Sequence, residues 1–241
     1  MNRRKFIYNS SIASLSVVGL NSCNILDKNV KISILHTNDV HSQIEPFPFN
    51  HNIYPDRGGF AKRANIFKGL MKLNPNTLIL DAGDIFQGTP YFNFFQGELE
   101  LNLMKKMGYN AATIGNHEFD AGLDMLKKNI LNNDFQFISS NYNFDNTELE
   151  GLVSKYKVYN RQGIKIGVFG LGIELNGLVN SSLYRETKYY DPVEIAKEMT
   201  RKLKEEKKCD LIICISHLGH TYQNDKISDL KLGKLTSDID L

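Results

Sequence analysis

The chain has 241 residues, of which 41% are apolar and 23% charged, a balance that suits one large or two small soluble globular domains. Its formal net charge of +2 gives no electrostatic case for nucleic acid as a partner. No apolar run in the body of the chain approaches the ~20 residues of a membrane span.

The N-terminus has the layout of an export signal: basic Arg3-Arg4-Lys5, then a mildly apolar, serine-rich stretch from Ile12 to Leu20. Arg3-Arg4-Lys5-Phe6-Ile7 resembles a twin-arginine signal, against the alternative of an ordinary secretory signal with two arginines. Leu20-Asn21-Ser22-Cys23 resembles a bacterial lipobox, although Asn21 fits it poorly. The expected organisation is therefore an export signal over 1–22, a tether over 23–30 and a folded domain over 31–241. Cys23 would be the lipid-bearing first residue of an exported, periplasmic lipoprotein, and that anchor its only link to the membrane. Cys209 and Cys214 form no CxxC pair and are expected as free thiols.

Lys31–Thr37 is expected as a strand that runs into the loop Asn38-Asp39-Val40-His41. The stretch from Pro46 to Gly59 is rich in proline and glycine and must be irregular. Apolar residues at Phe60, Ala64, Phe67 and Leu70-Met71 have the spacing of an amphipathic helix over Phe60–Leu73. Thr77-Leu78-Ile79-Leu80 is wholly apolar, as a strand buried on both faces should be. A helix over Leu99–Met107 is stopped by Gly108. A strand over Ala111–Ile114, a helix over Asp124–Leu131 and a strand over Phe135–Ser139 follow. Tyr156–Tyr159 and Ile164–Phe169 read as a hairpin. A charged helix over Pro192–Lys208 and a buried strand over Asp210–Ser216 come next, and Asp238-Ile239-Asp240-Leu241 resembles the start of a further strand. The alternation predicts a layered α/β domain with an antiparallel element.

Asp39, His41, Asp84, Asn116 and His217 all fall where strands end, and in open α/β sheets ligands bind beyond the carboxyl ends of strands. Carboxylate, imidazole and amide donors in that arrangement suit zinc, manganese or iron. A central aspartate, Asp84, is placed to bridge two cations, which together clamp a phosphoryl oxygen. His117 follows Asn116 directly and has Asp120 three residues on, a spacing that lets the carboxylate orient the imidazole for proton transfer. Singly, each piece has an ordinary structural explanation: Asn116 as a turn residue, His117 as a satisfied core imidazole, Gly83-Asp84 as a plain turn. His220 is read as an exposed loop histidine.

In this order the motifs resemble the calcineurin-like metallophosphoesterase superfamily, and within it the catalytic domain of bacterial 5′-nucleotidases and UDP-sugar hydrolases. The residues that carry the resemblance are Ile34–His41, Gly58–Arg63, Asp81–Asp84 with Gln87–Thr89, Gly115–Asp120 and Ser216–Gly219. It implies a four-layer α/β/β/α sandwich with mixed sheets, and two divalent metal ions, zinc, manganese or similar. Asp39 and His41 would bind one ion and Asn116 and His217 the other, with Asp84 shared and His117 with Asp120 as the catalytic dyad. The implied reaction is hydrolysis of a nucleoside 5′-phosphate by a metal-activated hydroxide. Nucleotide sugars, cyclic phosphodiesters and carrier-linked thiosulfate esters are the alternative substrates. The family pattern continues with a Gly-His-x-His motif on the next strand and a second, nucleobase-binding domain, neither of which lies within these residues. Weak or absent activity is therefore expected of the 241-residue chain, or a partner-dependent one completed by a separately encoded C-terminal domain.

Overall fold

The computed structural model describes residues 29–241, so the export-signal and lipobox readings, Cys23 included, lie outside the described residues. Residues Ile32–Leu241 form one compact unit. Its first sheet is parallel, in the order β1 (Ser33–Thr37), β2 (Thr77–Asp81), β3 (Ala111–Ala112), β4 (Gln136–Phe137). Its second sheet holds β6 (Tyr156–Arg161), β7 (Ile164–Gly172) and β9 (Leu211–His217), with β6–β7 antiparallel and β7–β9 parallel. A small antiparallel pair joins β5 (Tyr142–Asn143) to β8 (Lys188–Tyr189).

Side-chain alternation builds three cores. Leu78 and Leu80 on β2 face Ile166 and Val168 on β7 and Ile213 and Ile215 on β9, which forms the layer between the sheets. Ile79 points the other way, into the core beneath helices α1 (Phe60–Leu73), α3 (Glu98–Met107) and α4 (Gly122–Leu131). Phe169, Leu171 and Ile212 face helices α6 (Pro192–Arg201) and α7 (Asp229–Leu235). Period-2 alternation on both sheets therefore makes the α/β/β/α sandwich that the family resemblance implies.

Local chemistry sets the helix boundaries. Helix α3 ends at Gly108, whose left-handed φ of 84° closes the last turn. Helix α6 starts at Asp191, whose carboxylate accepts from the Val193 and Glu194 amides, with Pro192 in the first turn.

The structure departs from expectation in four places. The charged helix stays α-helical only to Arg201 and widens into a π turn over Lys202–Glu206, which keeps Leu203 fully buried. Strand β3 is cut to Ala111–Ala112, because the chain leaves the sheet at Ile114 to bring Gly115 against Asp84. Helices α2 (Pro90–Phe95), α5 (Ser181–Tyr184) and α7 and the β5–β8 pair have no counterpart in the sequence reading. Leu241 does not form a named strand, yet its carbonyl accepts from the Cys214 amide at 2.8 Å along the β9 edge.

Candidate metal and catalytic site

Three loops of the first sheet meet at the ends of β1, β2 and β3. The β1 and β2 loops are bonded backbone to backbone: Asp39 N–H to Gly83 O at 3.0 Å, His41 N–H to Asp84 O at 3.0 Å, and Ser42 N–H to Ile85 O at 2.8 Å. That pairing bends the chain sharply. Asp39, His41, Ser42 and Asp84 all have left-handed backbone, with φ of 49°, 45°, 53° and 55°. Non-glycine residues seldom adopt this region, and such strain concentrates at functional sites.

Asp84 lies at the centre, 4% exposed. Its Oδ2 is 3.2 Å from His217 Nε2, 3.8 Å from His41 Nε2 and 4.0 Å from His117 Nε2. Its Oδ1 accepts the His117 backbone N–H at 2.9 Å. Two groups have donor atoms all within 4.8 Å of one another: His41, Asp84 and His117, and Asp39, Asp84 and His217. Asp84 belongs to both. Asn116 lines the same cleft. The grouping differs from the sequence expectation in that Asp39 sits with His217 and His41 with His117.

The imidazoles are held from behind. His217 Nδ1 is 2.8 Å from the Ala82 carbonyl, which accepts its proton and turns Nε2 toward Asp84. His117 Nδ1 is 2.7 Å from Asp120 Oδ2, which turns its Nε2 into the site. A histidine whose second nitrogen is fixed by a carbonyl or carboxylate is the arrangement that orients metal ligands and general acids.

The charges are strongly coupled. The His41 contact, helped by Asn38, outweighs burial and pulls Asp39 down to about 2. Burial opposes the cation of His217, but the Asp84 hydrogen bond and charge prevail and raise it to about 9. Burial likewise opposes ionisation of Asp84, and His217 with the His117 amide and charge still holds it below the usual carboxylate range. Two carboxylates and three imidazoles this close, without a lysine or arginine among them, form a donor set that fits divalent cations.

Two buried acids support the site from below. Asp81 is fully buried, accepts from Thr37 Oγ1 at 2.5 Å and from the Gly83 amide at 2.9 Å, and is pushed up to about 7 by burial. Glu118 is fully buried among backbone amides and is also pushed up to about 7, by burial and then by the Asp84 charge. Sequence reading quoted both residues within motifs and gave neither a role. The available signal was a carboxylate at the end of an apolar strand, or set in an apolar turn.

A cleft of about 1160 Å³ opens over this centre. It is lined by Asp39, His41, Asp84, Asn116, His117 and His217 and, along β9, by Ile213, Cys214, Ile215 and Ser216. His220 lines it as well, outside both donor groups, and is exposed as expected.

Residues 32–241 match the calcineurin-like phosphoesterase family. The 5′-nucleotidase of Vibrio cholerae is 36% identical over 202 residues, which cover 82% of this chain and 35% of that protein. The NAD 5′-nucleotidase of Haemophilus influenzae is 32% identical over 220 residues, 89% of this chain and 35% of that one. Among solved structures, the Thermus thermophilus 5′-nucleotidase precursor aligns with a TM-score of 0.72 at 32% identity, over 78% of this chain and 37% of its own. The Haemophilus influenzae NAD nucleotidase structure gives a TM-score of 0.75 at 33% identity, over 88% and 42%. The chain thus spans about a third of the length of these curated relatives. With the matched residues covering both sheets and every loop of the site, the chain belongs to the calcineurin-like phosphoesterase family.

Proposed function

We propose that this chain carries the metal-binding and catalytic centre of a dinuclear phosphoester hydrolase acting on nucleoside 5′-phosphates. The observation that carries the reading is Asp84, whose single Oδ2 lies within 4.0 Å of three imidazole nitrogens and is shared by both donor groups. Asp39, His41, Asn116 and His217 stand around it and would hold the two cations with it. Two divalent cations held there would polarise the phosphoryl oxygens and lower the pKa of the attacking water.

The chain's own residues supply the rest. Asp120 holds the Nδ1 proton of His117, so Nε2 is the atom that exchanges protons within the site. A protonated Nε2 can donate to the departing 5′-alkoxide, and the Asp120 carboxylate stabilises the imidazolium before transfer. Burial of Asp84 and the low dielectric of the floor strengthen each of these interactions. Nucleotide chemistry is supported by the resemblance of the chain to 5′-nucleotidases.

The test is release of phosphate from AMP and from p-nitrophenyl phosphate with manganese or zinc. Weak hydrolysis that appears with metal and disappears with chelator is the expected result. Failure of the chain to bind either metal would overturn the reading.

A second reading adds a partner: a separately made C-terminal nucleotidase domain completes the site. It is favoured by the open cleft beside Ile215 and Ser216. On this reading AMP hydrolysis is weak for the chain alone and rises on adding that domain. Export as a lipoprotein is part of the same proposal. Labelled palmitate should enter Cys23, and cleavage elsewhere without label would exclude it.

A further inference from the structure

Glu118 follows the dyad histidine directly and is 0% exposed. Its carboxylate accepts four backbone amides: Gly115 at 2.6 Å, Ile85 at 2.7 Å, Asp84 at 3.0 Å and Phe86 at 3.3 Å. No lysine or arginine pairs with it among the described residues. A buried carboxylate is costly unless it is fully hydrogen-bonded, and here converging peptide N–H groups take the place of a cation.

The four amides come from two loops that are far apart in sequence. Three belong to the loop after β2, beginning with Asp84 itself, and one belongs to the loop after β3. Glu118 therefore fixes the peptide that carries the Asp84 side chain while drawing Gly115 against the same residue. The approach is close: a Cβ at Gly115 would stand 2.3 Å from Asp84 Oδ1. On the far side, the His117 amide holds Oδ1 at 2.9 Å. Asp84 is thus clamped through its main chain by Glu118 and through its side chain by the residue next to Glu118.

We propose that Glu118 is a positioning residue that sets the Asp84 carboxylate between the two donor groups, and through it governs the affinity of both cations together. A buried acid that merely caps a turn would affect stability alone. A residue that aims the shared ligand must alter metal binding, and must alter it at both sites. The inference rests on the reading of Asp84 as a shared metal ligand.

The test is titration of metal-free full-length chain with Co²⁺, followed by calorimetry and by the visible d–d absorption of the bound ion, with circular dichroism of the apo-protein as the check on folding. Glu118→Gln replaces one acceptor oxygen, which takes two peptide N–H groups, by an amide donor that faces both. Both Co²⁺ affinities should fall about 10- to 100-fold, the usual scale for groups behind metal ligands, and the absorption band should change. Unchanged affinity and spectrum in folded Glu118→Gln would overturn the proposal, as would weakening at one site only. Should Glu118→Gln not fold, Glu118→Asp takes its place, keeping the charge and shortening the reach. Weaker binding at both sites in that variant supports the proposal, and wild-type binding overturns it. Absence of Co²⁺ binding by the wild type, or wild-type binding by Asp84→Asn, would instead sink the shared-ligand reading and this inference with it.

Discussion

The two sheets contribute to the site in opposite ways. The first delivers Asp39, His41, Asp84, Asn116, His117 and Asp120 from loops that are bonded to one another and to Glu118. The second delivers His217 alone, at the end of β9, and its ring bridges the gap with one bond to Ala82 O and one contact to Asp84. One half is built in advance by hydrogen bonds between its loops and to the Glu118 carboxylate. The other half depends on a single imidazole and on how the sheets pack over Leu78, Leu80, Ile213 and Ile215.

The most severe way to break this contrast is at the shared residue. Asp84→Asn should reduce metal-dependent hydrolysis of p-nitrophenyl phosphate by about 10³-fold or more, on the order of 4 kcal/mol of transition-state stabilisation. Retained turnover would remove Asp84 from the centre. Next in size, Gly115→Ala strikes the prebuilt half, because the new methyl meets Asp84 Oδ1 and the Asp84 amide. Co²⁺ binding should weaken about 10- to 100-fold, and thermal unfolding should report a loss of roughly 1–3 kcal/mol. Wild-type affinity in that variant would mean that the loop yields.

His217→Ala sharpens the comparison from the other side. His217 belongs to one donor group only. Calorimetry should then show one bound cation in place of two, with the remaining donors around Asp84 still able to hold theirs. Loss of both ions would show that the second sheet organises the whole site.

The most gradual effect is a pH dependence. Asp81 titrates near 3.8 when unfolded and is raised to about 7 by burial in the native state. Between those values the native protein binds the extra proton, so stability falls as pH rises from about 4 to about 7 and this group adds no further slope above that. Asp81→Asn should flatten the melting curve of the apo-protein across that window, by at most about 1.4 kcal/mol per pH unit. An unchanged slope would place the titration elsewhere.

Much of the fold was legible because local signals were strong. The helix expected over Phe60–Leu73 has the bounds of α1, with Phe60 and Phe67 buried but Leu70 exposed, and Gly108 ends α3 where expected. The short elements were not legible. Two-residue strands such as Tyr142–Asn143 have no period to detect, and exist because tertiary packing brings Lys188–Tyr189 alongside. The candidate ligands could be placed by strand ends, but how they group could not. Asp39 and His217 are 178 positions apart by residue number, and only the packing of one sheet on the other sets them together. Glu118 was hidden for the same reason, since its partners include amides more than thirty residues away.

The left-handed turns at Asp39, His41, Ser42 and Asp84 have a consequence for anyone redesigning this protein for heat tolerance. Each such residue costs on the order of 1 kcal/mol, and glycine would relieve it. At three of the four positions that relief would delete a donor atom. At the fourth, Ser42, it would delete the hydroxyl that bonds buried Glu100 and contacts Thr89. Thermostability gained inside these loops would therefore be taken from the site itself, and a stabilised variant has to find its gains in the outer helices.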